Sequence, residues 1–163
     1  MQLIFVVEAS AKSQSDFYYI SETIIKYYNY LGHKITPVFM DGKGKFDKKE
    51  SEINKNIAKY QKESKVFICY DIDNRSNPAY LLNAQIDLYS NNKGYEIIWF
   101  NENVEQVYVR KSIPNSEKTK RAKQFVAYKE IEKINEDDLF QTTISKKKSS
   151  NIPTVLDKYL KRK

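Results

Sequence analysis

Apolar residues along this chain fall into two rhythms. Short uninterrupted runs occupy residues 3–7 (LIFVV), 35–40 (ITPVFM), 65–71 (KVFICYD) and 95–100 (YEIIWF). Between them, apolar residues recur every three or four positions. Phe17, Ile20, Ile24, Tyr27 or Tyr28, and Leu31 predict a helix that stops at Gly32, a C-cap signal. Ile53, Ile57 and Tyr60 predict a second helix, with Asp47, Glu50 and Glu52 placed near its start. Leu82, Ile86 and Tyr89 predict a third, opened by Ser76-Asn77-Pro78 and closed by Gly94. The order βαβαβαβ, with strands apolar on both faces, predicts an α/β fold: a mostly parallel central sheet with helices on both faces. Pro37 argues that the second strand lies at an edge or a bulge. Residues 41–45 (DGKGK) read as a loop.

Beyond Pro114 the pattern loosens. Residues 116–134 predict a basic amphipathic helix, 136–151 an irregular connection, and 152–161 a short last helix with Pro153 in its first turn. The expected organisation is an α/β domain over 1–115 and a basic C-terminal extension over 116–163, packed on the same domain. A chain of 163 residues buries enough surface for one core.

Charge sharpens that division. Residues 1–115 carry 15 Lys+Arg against 14 Asp+Glu, whereas residues 116–163 carry 13 against 7. The excess cations make Lys118, Lys120, Arg121, Lys123, Lys146, Lys147 and Lys148 candidates for nucleic-acid phosphates. A solvated lysine-rich surface explains the same residues. The single cysteine, Cys69, lies in an apolar run and reads as a small core hydrophobe. The short apolar start, with no basic region before it, reads as a strand and not a signal peptide, and no segment has the length of a membrane span. A cytoplasmic location is expected.

The chemistry gathers at the strand ends. Glu8 follows the first strand, Asp71 and Asp73 end the third, and Glu102 and Glu105 follow the fourth. In a parallel sheet all five reach the carboxyl edge, where ligands of such sheets bind. Residues i and i+2 of an extended segment point the same way, so Asp71 and Asp73 are expected to converge. Crowded carboxylates repel unless a cation joins them, and an all-oxygen set suits Mg²⁺ or Mn²⁺. Aspartates after strands also serve as caps and turns. The single histidine, His33, leaves a histidine triad or zinc site little to work with, and neither GxxxxGK[ST] nor GxGxxG occurs.

The order of these acids resembles the Toprim domain of topoisomerases, primases and OLD-type nucleases. Within that group the chain is most similar to the small RloB-like proteins found near bacterial restriction and phage-defence genes. VVEASAKSQSDFYYI (6–20) carries Glu8 and Asp16 in the places of that family's first acids, FICYDIDN (67–74) matches its DxD, and WFNENVEQVYV (99–109) keeps Asn101 and Glu105. NIPTVLDKYL (151–160) fits its closing segment more weakly. The sequence departs from the pattern in having Ala9 for the usual glycine, Asp16 for a glutamate, Glu102 for a proline and Val104 for an aromatic.

The resemblance implies a Toprim-like, Rossmann-related fold and a metal-dependent nuclease. Glu8, Asp71 and Asp73 would be catalytic, and Glu8, Asp71, Asp73 and Glu105 would hold the metal. Asp16 and Asn101 would steady those ligands, and the basic segment would grip the nucleic-acid backbone. A protein partner such as an ATPase subunit fits the same resemblance. The alternative is a Toprim-like subunit that binds nucleic acid or protein without cutting. A DxD site for nucleotide sugars ranks behind both.

Overall fold

The first apolar run becomes β1 (Gln2–Val7), buried along its whole length, as a strand covered on both faces must be. The computed structural model describes residues 1–163. After β1 come α1 (Ser15–Tyr27), β2 (Tyr28–Asn29), β3 (Lys34–Phe39), α2 (Glu50–Ala58), β4 (Ser64–Asp71), α3 (Leu82–Lys93) and β5 (Glu96–Phe100). The rest of the chain adds α4 (Val104–Val109), α5 (Lys118–Ala127), α6 (Glu136–Leu139), α7 (Ile152–Leu156) and β6 (Lys161–Arg162). Four strands form an all-parallel sheet in the order β3-β1-β4-β5. Pro37 lies in β3, at the sheet's edge, where its missing N–H disturbs least.

Alternate strand residues feed two cores. Leu3, Phe5, Phe67 and Ile98 face α1, α4, α5 and α7, meeting Ile20, Val107, Phe125 and Leu156. Ile4, Val6, Ile68 and Trp99 face α2 and α3, meeting Ile53 and Ile86. Cys69 is a buried free thiol of the first core. Ala122, Phe125, Ile131, Leu139, Ile152, Val155, Leu156 and Leu160 also belong to that core, so 116–163 is an integral layer of the fold rather than an appendage.

Four elements depart from the sequence expectation. The last helix, expected over 152–161, ends at Leu156, because the chain turns there and Lys161 and Arg162 become β6. α1 ends at Tyr27 and not at Gly32, because Tyr28 turns extended and pairs antiparallel with Arg162 of β6. The Tyr28 hydroxyl donates towards the Pro153 carbonyl at 3.0 Å and Asp157 at 2.8 Å. The 41–45 loop runs directly into a 3-10 helix, Lys43–Lys49, that leads into α2. The basic helix expected over 116–134 breaks after Ala127, and Lys129 takes a left-handed conformation at φ 51°.

Candidate functional site

The chain leaves β1 towards α1 on one face of the sheet and leaves β4 towards α3 on the other. That divergence opens a crevice at the carboxyl ends of two adjacent strands, the place where α/β sheets bind ligands. Glu8 and Asp71 stand on its two sides. One Glu8 carboxylate oxygen accepts the Asp71 N–H at 2.8 Å. It takes the place of a strand carbonyl that β1, already ended, does not supply. Ala9, where the resembling pattern has glycine, is not in the left-handed region, so the backbone here does not require glycine.

Asp71 points away from β1, towards α4. Its Oδ1 accepts the Val104 N–H at 2.9 Å, placing a carboxylate at the first turn of that helix. Asp16, in the first turn of α1, accepts the Ala9 N–H at 2.9 Å and the Ser15 hydroxyl at 3.2 Å, fastening the loop that carries Glu8. Glu105 is 1% exposed, and neither of its oxygens accepts a hydrogen bond; the nearest cation is Lys118 Nζ at 3.3 Å.

Burial and mutual repulsion make these carboxyl groups reluctant to ionise. Glu8, pressed by burial first and by Asp16 second, has its pKa raised to about 8. Asp71 is raised well above the carboxylate range by burial, then by Glu8, Asp16 and Glu105. Burial also raises Asp16 and Glu105. For Lys118, burial opposes its charge, but Glu105, Asp71 and Asp16 outweigh it and hold the ammonium above its ordinary pKa.

Asp73 does not converge with Asp71. β4 ends at Asp71, and Asp73 takes φ 64°, a left-handed turn that breaks the alternation of side chains. Its carboxylate pairs with Lys43 Nζ at 2.8 Å, and the same ammonium donates to the Asp71 carbonyl at 2.5 Å. Lys43, 6% exposed, is a site residue that the sequence reading placed in a surface turn. Its signal was position: it follows the carboxyl end of β3, so it arrives at the same edge as the acids.

Glu8 and Asp71 each keep a second carboxylate oxygen outside these hydrogen bonds. Mg²⁺ is commonly held by one or two carboxylates completed by waters and substrate phosphate, and these two oxygens are the ones at the crevice left free to serve it. The fuller set with Asp73 and Glu105 does not fit the ion, since no three acidic, histidine or cysteine side chains gather closely enough to hold a metal ion. Lys43 occupies the one and Lys118 the other.

The basic residues divide as well. Lys118 serves the acidic cluster, Arg121 pairs with Glu130, and Lys146 pairs with Asp138 at 2.5 Å. Lys148 donates to the Arg110 carbonyl at 2.8 Å. Lys147 is exposed beside Glu102 at 3.7 Å. Lys120 and Lys123 remain open to solvent. Asn101 is buried and donates to the carbonyls of Ile144 and Lys146 at 2.8 and 2.7 Å, so it holds the 144–149 loop against the edge rather than a metal ligand. A cleft of about 270 Å³ opens beside Asp73, lined also by Arg75, Tyr80, Glu102 and Lys147.

No family model, no curated protein and no solved structure matches this chain. No helix is long and apolar enough to cross a membrane.

Proposed function

We propose that the chain is a divalent-cation-dependent enzyme of nucleic-acid phosphodiester chemistry, a Toprim-like nuclease of phage-defence or mobile-element biology. The observation that supports it is the pair Glu8 and Asp71 at the crevice between β1 and β4, where Glu8 accepts the Asp71 N–H and both carboxyl groups are buried with their pKa values raised. Glu8 and Asp71 would hold Mg²⁺ or Mn²⁺, which supplies polarisation of the phosphate and stabilisation of the leaving oxygen. In the alternative role, as general acid/base rather than ligand, Glu8 has in the metal-free protein a pKa of about 8, close enough to neutrality to give and take a proton. Asp16 keeps the Glu8 loop in place, and Lys43, tied to Asp73 and the Asp71 carbonyl, holds the turn that follows β4.

A second reading, a subunit that holds nucleic acid without cutting, is favoured by Lys43 and Lys118, which already neutralise much of the acidic edge. Calorimetric titration with MgCl₂ and MnCl₂, followed by cleavage assays on labelled DNA and RNA, separates the two. The nuclease reading expects wild type to bind an ion and cut. Glu8→Gln and Asp71→Asn should then each lower cleavage at least about a hundredfold, with Asp73→Asn milder. Wild type that binds nucleic acid but neither takes up metal nor cuts would leave the second reading in possession.

A further inference from the structure

α5 starts at the acidic edge and carries an outer face that the core does not use. Ala122 and Phe125 point inward. Thr119, Lys120, Lys123 and Gln124 recur at helical spacing on another face and line an open groove of about 640 Å³, which Tyr128 completes at the helix's C-terminal end. Tyr128 is 69% exposed, and no other aromatic side chain in the protein is so far out in solvent. Its ring packs on no other aromatic and no cation. Lys120 and Lys123 are exposed and take part in no ion pair, in contrast to Lys118, Arg121 and Lys146.

We propose that this groove binds single-stranded nucleic acid, with an unpaired base stacked on Tyr128 and phosphates on Lys120 and Lys123. The inference rests on the reading that the chain acts on nucleic acid, and it names the strand state. Cations along a groove favour a polyanion of any kind. A lone exposed ring adds something only when the bases are free to stack on it, as in a single strand; in a duplex they are already stacked on one another. The groove also leads to the site. Thr119 Oγ1 lies 2.9 Å from Ser13 Oγ, in the loop between Glu8 and α1, and the preceding Lys118 reaches into the acidic cluster. A strand lying along α5 therefore has one end at the carboxyl edge of the sheet.

The test is fluorescence anisotropy with a labelled oligothymidylate of about 20 nucleotides and a duplex of equal length, in EDTA so that neither metal nor cutting enters. Wild type should prefer the single strand. Tyr128→Ala should weaken that binding about tenfold, and Tyr128→Phe should keep it. Replacing Lys120 and Lys123 together by glutamine should lower the slope of log affinity against log salt by about 1.4. In Tyr128→Trp the new indole should be quenched by the single strand and not by the duplex; the natural Trp99 is 6% exposed and contributes little background.

Wild-type affinity in Tyr128→Ala, an unquenched Tyr128→Trp, or equal binding of polyglutamate would each overturn the proposal and leave only a polyanion patch. The outcomes also separate it from the catalytic reading. Loss of single-strand binding in Tyr128→Ala, with no metal uptake by wild type, would sustain the groove and remove the nuclease. Cutting by wild type that Tyr128→Ala matches in both binding and rate would do the reverse.

Discussion

Glu8 is costly to ionise in the folded protein, and that cost has a sign. Its pKa rises from an ordinary 4.5 to about 8, through burial first and Asp16 second. Between those values the native state binds more protons than the unfolded chain, so stability falls as pH rises, and the whole loss is present above about pH 8. Asp71 and Asp16 act in the same direction. Tenfold in proton affinity is about 1.4 kcal/mol, so the metal-free protein should lose on the order of a few kcal/mol between pH 5 and 9. Urea denaturation in EDTA across that range checks it. Glu8→Gln, whose amide oxygen still accepts the Asp71 N–H, should flatten the profile and be the more stable form at pH 9. Lys118 is the counterpart. Its ammonium stands among Glu105, Asp71 and Asp16, and its side chain retains 28% exposure. Lys118→Met keeps the stem but strands the buried Glu105, at a cost of about 2–3 kcal/mol at neutral pH. Adding Glu105→Gln should recover most of that loss, a coupling that a double-mutant cycle measures.

At the scale of elements, the short antiparallel pair of β2 and β6 decides where α1 ends. Removing the Tyr28 hydroxyl leaves the carbonyl of the buried Pro153 without that donor, while the exposed Asp157 keeps its bonds from Arg162. Tyr28→Phe should therefore cost about 1–2 kcal/mol, read from the urea midpoint at unchanged slope. The departure of α1 from its sequence pattern has the same origin. Helical spacing runs on to Leu31, but Leu31 is 88% exposed, and a partner strand more than 130 residues away, Arg162 opposite Tyr28, takes the backbone first. Local pattern cannot report a distant competitor. The four parallel strands are legible because a strand buried on both faces is written as a continuous apolar run, and the carboxyl-edge position of Glu8, Asp71 and Glu105 follows from that topology. The fate of Asp73 is not legible, since alternation holds only while the backbone stays extended and β4 ends two residues earlier. Lys43 is marked only by its position after β3, and Lys118 is one of several candidate cations with nothing to single it out as the partner of Glu105. Which of 28 Lys and Arg residues turns inward is set by which loops the folded sheet brings to the acids.

For the whole molecule, residues 116–163 concentrate the positive charge, and they are packed into the core of the sheet rather than laid on its surface. Phe125 is fully buried and meets the rings of Tyr19 and Tyr108 at centroid distances of 5.0 and 5.7 Å. Ile152, Leu156 and Leu160 are buried in the same core as β1 and β4, and Asn151 bridges to β5 by accepting the Trp99 N–H and donating to the Ile97 carbonyl. A fragment ending at residue 115 would expose the apolar underside of α1 and α4, and would leave Asp16, Asp71 and Glu105 without the cation of Lys118. Each large apolar side chain so lost is worth about 1.5–3 kcal/mol, and a domain's net stability is only about 5–15 kcal/mol. The fragment 1–115 should therefore be unfolded or molten at pH 7, with no near-ultraviolet dichroism and a broad, uncooperative thermal transition. At a lower pH, which relieves the repulsion among the stranded carboxyls, it should recover some helix without gaining fixed packing. A sharp transition at either pH would mean that the sheet carries its own core, and that the basic segment had been added to a domain already complete.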